Sequence, residues 1–244
     1  MTVQRLAWAG VRIRVGAVEV FIDARAPDPQ DGAPGPALKC DAARCFALAT
    51  HHHDDHLDLH ALAPVLGKQG YLVVEENVAR MFDNRAVNLQ PVRLYEPVFL
   101  SRGGGEFVAW CVPASDGLGS PQVSWVLDGG GRRIIHCGDT LWHGGWWDIA
   151  RAYGPFDAAF VPINAARQIA GRFTDVGQPI DMNPEQAISA ALALGARLAI
   201  PIHYGARPSP AYFEEPNVER RFIAAGAARH MPVRVLRPGE LLNI

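Results

Sequence analysis

At 244 residues the chain can bury one sizeable core, since single domains of roughly 200–250 residues are common among sandwiches and layered α/β folds, so residues 1–244 are expected to form one domain. With 49% apolar and 20% charged residues, the composition is that of a globular protein, not a disordered or fibrous one. A formal charge of -2 without any run of Lys or Arg gives no long-range attraction to a polyanion and argues against nucleic acid as a partner.

Arg5, Arg12 and Arg14 interrupt any apolar stretch near the N-terminus that could serve as an export signal. The longest apolar tract, Ala187 to Ile202, is cut by Arg197 and Pro201 and falls short of the roughly 20 residues of a membrane span. A soluble, cytoplasmic protein is therefore expected. Cys40, Cys45, Cys111 and Cys137 form no Cys-x-x-Cys pair, and a chain of this size needs no disulfide staples, so reduced and mostly buried thiols are expected.

In chain order, alternation in Val11–Val15 and Val18–Ile22 about Gly16 predicts an antiparallel hairpin with one buried face, ending at Asp23. Ala24 to Pro36, rich in Pro, Gly and Asp, reads as a surface loop that could also lie over a site as a lid. Cys45–Ala49 is a short buried strand running into a histidine cluster, and Leu57–Leu66 has helical spacing. Tyr71–Val74, Val92–Leu94, Phe107–Val112, Val123–Leu127 and Arg133–His136 are further strand candidates. Phe156–Pro162 reads as another buried strand, and Asn183-Pro184-Glu185 opens a helix that runs to Gly195. A strand over Leu198–Ile202 then delivers His203 into a Tyr-Gly turn.

Thr50-His51-His52-His53-Asp54-Asp55-His56 gathers four imidazoles and two carboxylates in seven positions. If the backbone is extended there, His51 and His53 share a side, because side chains alternate with period two, and one metal ion can meet both. Asp55 and His56 follow as the chain turns and can aim at a second ion. Imidazole with carboxylate suits zinc, iron or manganese better than calcium or magnesium. His52 should point away from its neighbours, and His60 reads as a surface residue of the following helix.

Thr50 to His56 resembles the His-x-His-x-Asp-His signature of the metallo-β-lactamase superfamily. Cys137-Gly138-Asp139-Thr140, Asn183-Pro184-Glu185-Gln186-Ala187 and Ile200-Pro201-Ile202-His203-Tyr204-Gly205 agree with it in order and spacing. Gly138-Asp139-Thr140 and Asp58 resemble the branch that includes ascorbate-6-phosphate lactonases and N-acylphosphatidylethanolamine phospholipase D-like proteins. The resemblance implies an αββα sandwich with a dinuclear site at one sheet edge. It implies His51 and His53 on the first ion, Asp55, His56 and His203 on the second, and Asp139 bridging. The family usually carries a histidine after a Pro-Ala step, where this chain reads Val112-Pro113-Ala114-Ser115-Asp116-Gly117. Asp116 is expected as the replacement ligand, with capping of a turn as the alternative reading; His136 and His143 could also compensate.

Two divalent ions would lower the pKa of a shared water and present it to a carbonyl or phosphorus centre, implying hydrolysis of a small ester, lactone or phosphodiester. Asp55 belongs to the candidate catalytic set, with His143 and Tyr204 as the candidate proton donors. Arg167, Arg172 and Arg207 could clamp an anionic group of a small-molecule substrate. Trp142, Trp146 and Trp147 could wall a pocket, pack in the core or contact another copy, which leaves homo-oligomerisation open. The competing functions are a non-catalytic metal-binding sensor or scaffold and a nucleic-acid phosphodiesterase.

Overall fold

Burial that alternates along the strands sets the layers of this molecule. The computed structural model describes residues 1–28, 33–83, 86–100, 107–168, 177–207 and 209–244. Strands β1 (Thr2–Arg5), β2 (Val11–Val15) and β3 (Val18–Ile22) are antiparallel neighbours, the last two being the expected hairpin. Along β3, Val18, Val20 and Ile22 enter one core while Phe21 enters another, because both faces of the sheet are covered. β4 (Arg44–Leu48) pairs parallel to β3, and helix α1 (Leu59–Leu66) begins at Asp58, whose side chain accepts the Ala61 N–H. β5 (Tyr71–Glu75), the short helix α2 (Glu76–Ala79) and β6 (Asn88–Val92) follow. The strand expected at Val92–Leu94 thus lies earlier, with Val92 as its last residue.

A second sheet holds β7 (Val98–Phe99), β8 (Val108–Pro113), β9 (Val123–Gly129) and β10 (Arg132–His136). Helix α3 (Trp146–Tyr153) leads to β11 (Ala158–Pro162), parallel to β10, and then to the short β12 (Arg167–Gln168). Helix α4 (Pro184–Ala193) has a capping box, in which Asn183 accepts from Gln186 N and the Gln186 side chain accepts from Asn183 N. β13 (Ala199–Ile202) completes the second sheet beside β11, β14 (Tyr212–Phe213) pairs with β12, and helix α5 (Val218–Ala228) precedes β15 (Leu241–Asn243) at the edge of the first sheet.

The seven-stranded sheet runs β15-β1-β2-β3-β4-β5-β6 and the six-stranded sheet β13-β11-β10-β9-β8-β7. Val11, Ile13, Leu48 and Val73 of the first meet Trp125, Leu127, Ile134 and Phe160 of the second in a shared core. Leu62 and Leu66 of α1 cover the outer face of the first sheet, and Ile149, Ile188 and Phe222 of α3, α4 and α5 cover that of the second. The result is the expected αββα sandwich.

β4 is parallel to β3, and β13 and β11 are parallel to β10, so Asp23, His51, Asp139, Asn164 and His203, which follow five of these strands, emerge along one edge. The structure corrects one expectation, since Cys40 and Cys45 form a disulfide rather than two free thiols. The turn into β4 brings their Cα atoms to 6.4 Å, within bridging range, whereas Cys111 and Cys137 are buried and free as expected. Residues 29–32, the tip of the Ala24–Pro36 loop on which the lid reading rests, lie outside the described residues. No helix among the described residues is long and apolar enough to cross a membrane.

Candidate metal centre

Gly138 lets the chain leave β10 at φ +69, where a Cβ would lie 2.8 Å from Gln122 Nε2 and 3.1 Å from Thr50 Oγ1. The turn sets Asp139 against the histidines. Asp139 Oδ2 lies 3.6 Å from His51 Nε2, 3.7 Å from His56 Nε2 and 3.9 Å from His203 Nε2. His51 Nε2 lies 2.8 Å from His53 Nδ1. Asp55 Oδ2 is 3.5 Å from His56 Nε2 and 3.6 Å from His203 Nε2. Two groups of donors result, His51–His53–Asp139 and Asp55–His56–His203, each with its atoms within 4.8 Å of one another.

The inward nitrogens of the second group fit a metal ion because the protein leaves them otherwise unused, while those of the first group meet only each other. His56 Nε2 and His203 Nε2 are buried and make no hydrogen bond to the protein. A buried imidazole nitrogen without a partner is costly unless a ligand meets it. Two histidines and one carboxylate in each group are a donor set for zinc, iron or manganese.

The outward atoms are all engaged. His56 Nδ1 meets Asp23 Oδ2 at 2.8 Å, and Asp23 also accepts the Thr50 backbone N–H at 2.8 Å and its hydroxyl at 2.7 Å. Thr50 Oγ1 lies 3.0 Å from His51 Nδ1, and Ser120 Oγ lies 3.0 Å from His53 Nε2. His203 Nδ1 faces Asp181 Oδ2 at 3.2 Å and Asn164 Oδ1 at 3.3 Å. Gln122 Nε2 donates to Asp139 Oδ1 at 2.6 Å. Such partners fix ring orientation and tautomer.

Charge is concentrated in this buried volume. Burial pushes His56 down, but Asp55, Asp139 and Asp23 overcome it and raise the imidazole to about 9. His203 is likewise raised well above its usual value, against burial, by Asp181, Asp55 and Asp139. Burial, reinforced by His56 and His53, carries His51 down to about 4 despite Asp139 and Asp23. Asp23 falls to about 2, because His56, His136 and His51 outweigh its burial. Burial raises Asp181 to about 6 even though His203 opposes it. The backbone is held left-handed at Asp23 (φ +48) and His203 (φ +55), conformations that non-glycine residues adopt at a cost and that concentrate at functional sites.

The structure thus brings together His51, His53, Asp55, His56, Asp139 and His203. It does not add Asp116 to either donor group. Its two oxygens accept the backbone N–H groups of Leu118 at 2.8 Å and Ser120 at 2.7 Å, and Oδ2 stays 3.9 Å from His53 Nε2. A Cβ at Gly117 would lie 2.2 Å from Ile180 O, so the chain passes too close for any other residue, and Asp116 closes the turn that carries Ser120 to His53.

The Tyr204 hydroxyl is engaged elsewhere, accepting from Arg5 Nη1 at 2.8 Å and donating to Glu219 Oε2 at 3.1 Å. His143 stacks on Trp146 with centroids 4.0 Å apart, and its Nδ1 accepts the Gly145 N–H. His136 is buried, with Nε2 2.9 Å from Ala9 O. Trp146 is a core residue of α3, while Trp147 is 57% exposed. The Arg167 guanidinium lies 4.4 Å from the centre of the Phe213 ring, Arg207 is exposed, and Arg172 lies outside the described residues. Sequence reasoning missed Trp8, Gln122 and Asp181, and read Asp23 only as the end of a strand.

Residues 18–204 match the beta-lactamase superfamily domain. An uncharacterized protein of Mycobacterium tuberculosis is 28% identical over 222 residues, which cover 80% of this chain and 53% of that protein, so the chain spans about half the length of this relative. A UPF0173 metal-dependent hydrolase of Caldivirga maquilingensis is 30% identical over 204 residues, covering 82% of this chain and 80% of its own length. An N-acyl-phosphatidylethanolamine-hydrolyzing phospholipase D of Caenorhabditis elegans is 28% identical over 195 residues, 70% of this chain and 52% of the relative. Among solved structures, a metallo hydrolase of Ignicoccus hospitalis superposes with a TM-score of 0.72 at 19% identity, over 99% of this chain and 97% of that one, and shares its fold. The chain belongs to the beta-lactamase superfamily.

Proposed function

We propose that residues 1–244 act as one catalytic domain that hydrolyses a small ester, lactone or phosphodiester at two divalent ions. The observation that carries this reading is Asp139 Oδ2, which stands within 3.6 to 3.9 Å of a histidine nitrogen from each donor group and so would be shared between the two sites. His51 and His53 would hold one ion and Asp55, His56 and His203 the other, with zinc, manganese or iron all suited to these donors. When bound, the ions supply Lewis acidity and a water of lowered pKa.

This chain's residues orient that chemistry. Gln122 fixes Asp139 through Oδ1 and leaves Oδ2 directed at the histidines. Asp23, Asp181, Thr50 and Ser120 hold four rings from behind. Asp55 is the ligand open to solvent, its side chain 40% exposed where those of His56 and His203 are 0% and 3%. Its exposure supports Asp55 as the group that would take the proton of an attacking water. The hydrogen bonds at Tyr204 and the stacking at His143 favour Asp55 over either as the proton carrier. The phospholipase D relative supports a phosphodiester among the substrates, and Arg167 and Arg207 are candidates to meet its charge.

The test is metal counting followed by turnover. Purified protein should carry one to two ions per chain and, when reconstituted with zinc, manganese or iron, hydrolyse at least one of a panel of generic phosphodiesters, lactones and thioesters. Absence of stoichiometric metal after reconstitution refutes the reading. Full occupancy with no turnover would favour a metal-binding sensor or scaffold, a second reading supported by the engagement of Asp116 in its turn rather than at the first group.

A further inference from the structure

Asp55 is the most exposed member of its group, and the side chain that holds it comes from a turn 47 residues earlier in the sequence. Trp8 Nε1 donates to Asp55 Oδ2 at 3.0 Å. This is the oxygen that also faces His56 and His203. The Trp8 ring lies 4.4 Å from the His203 ring, centroid to centroid, and 6.4 Å from Tyr212 in an edge-on arrangement. One side chain therefore hydrogen-bonds one member of the second group and packs against another.

The turn that presents Trp8 is built for this position. Leu6 N donates to Gly10 O and Gly10 N to Ala7 O, closing a tight link between β1 and β2. Trp8 sits in that link at φ +57, left-handed for a large residue, and is only 6% exposed. The neighbouring Ala9 carbonyl meets His136, which anchors the turn on the second sheet. Loop residue Gly35 lies so close that a Cβ there would come within 2.8 Å of Ala7 N. Strain of this kind persists only where the surroundings hold it.

We infer that Trp8 is a positioning residue for the second ion, fixing Asp55 through its indole N–H and seating His203 with its ring. The inference rests on the reading of Asp55, His56 and His203 as ligands. A hydrogen bond to the ligating oxygen selects the Asp55 rotamer that joins the histidines, as the outward partners of the buried ligands select theirs.

The test is a zinc titration of metal-free full-length protein against a chromophoric chelator, comparing wild type, Trp8→Phe and Asp55→Ala. Asp55→Ala identifies the binding class that belongs to the second group. Trp8→Phe keeps an aromatic ring and removes the donor. It should weaken that class by about 10- to 100-fold, the range for loss of an outer partner, and leave the other class unchanged. A class weakened by Asp55→Ala and untouched by Trp8→Phe overturns the role of Trp8 alone, as does equal weakening of both classes by Trp8→Phe. If neither substitution affects any class, the ligand reading fails as well. Should Trp8→Phe not fold, wild-type protein decides. One indole N–H resonance must move as the second group fills with zinc, and six unmoved resonances overturn the inference.

Discussion

Asp23→Asn is the substitution whose consequences the structure specifies most fully. The carboxylate is inaccessible to solvent and accepts from Thr50 twice while facing His56 Nδ1 at 2.8 Å. Asparagine keeps the shape but turns an amide NH2 toward at least one group that was donating, and it removes the charge that holds His56 in its ring orientation. The fall of the carboxyl from its ordinary 3.8 to about 2 corresponds to about 2 kcal/mol of interaction favouring the folded, ionised form. Because the folded value lies below the unfolded one, this stabilisation is complete at neutral pH and is lost as the pH falls from about 4 toward 2. Metal-free Asp23→Asn should therefore unfold in urea with about 2 kcal/mol less stability at pH 7, and the deficit should shrink as the pH is lowered. The loaded protein should lose affinity for the second ion by about 10- to 100-fold, the range for an outer partner of a ligating histidine. Wild-type stability at pH 7 together with wild-type metal affinity would refute the reasoning.

Metal affinity should rise with pH. With His56 at about 9 and His203 also raised well above its usual value, both hold protons in the metal-free protein at pH 7, so binding must displace them. Calorimetry in buffers of different ionisation enthalpy should show release of up to two protons, and affinity should climb by about tenfold per pH unit for each proton until its imidazole has titrated; a flat profile from pH 7 to 9 contradicts the charge assignment. Gln122→Leu removes the donor to Asp139 Oδ1, and turnover should fall by about 10- to 100-fold, with far-UV circular dichroism unchanged. Asp116→Ala should lower stability by about 1 kcal/mol through two orphaned backbone N–H groups while both ions remain countable by elemental analysis; loss of one ion would instead make Asp116 a ligand.

The candidate ligands are more legible in the sequence than the groups that hold them. His51, His53, Asp55 and His56 are contiguous, so their density stands out against any background. Asp139 and His203 became recognisable only as members of an ordered set. Asp23, Gln122 and Asp181 are single polar residues beside strand or helix ends, where polar residues are ordinary. Trp8 belongs to a turn that no local pattern relates to Asp55, 47 residues later. Helix α3 was hidden because Gly145 precedes it without a side-chain cap, and α5 because Asn217 is left-handed and makes no capping hydrogen bond. The short strands β1 and β15 depend on a pairing across the whole chain, Thr2 with Asn243, which local alternation does not signal.

The concentration of carboxylates also explains how the metal-free site can remain folded. Asp23, Asp55, Asp139 and Asp181 converge on one volume, and four carboxylates, three of them buried, would repel one another if nothing balanced them. His56 and His203 lie between them and are raised, so in the absence of metal their imidazolium groups offset part of that charge. Asp181, driven up to about 6 by burial, takes up a proton only as the pH falls toward that value. Deprotonation of these candidate ligands on metal binding would exchange imidazolium charge for that of the ions. This accounts for the same residues being able to satisfy the folded chain and the ions, and it ties metal affinity to proton release.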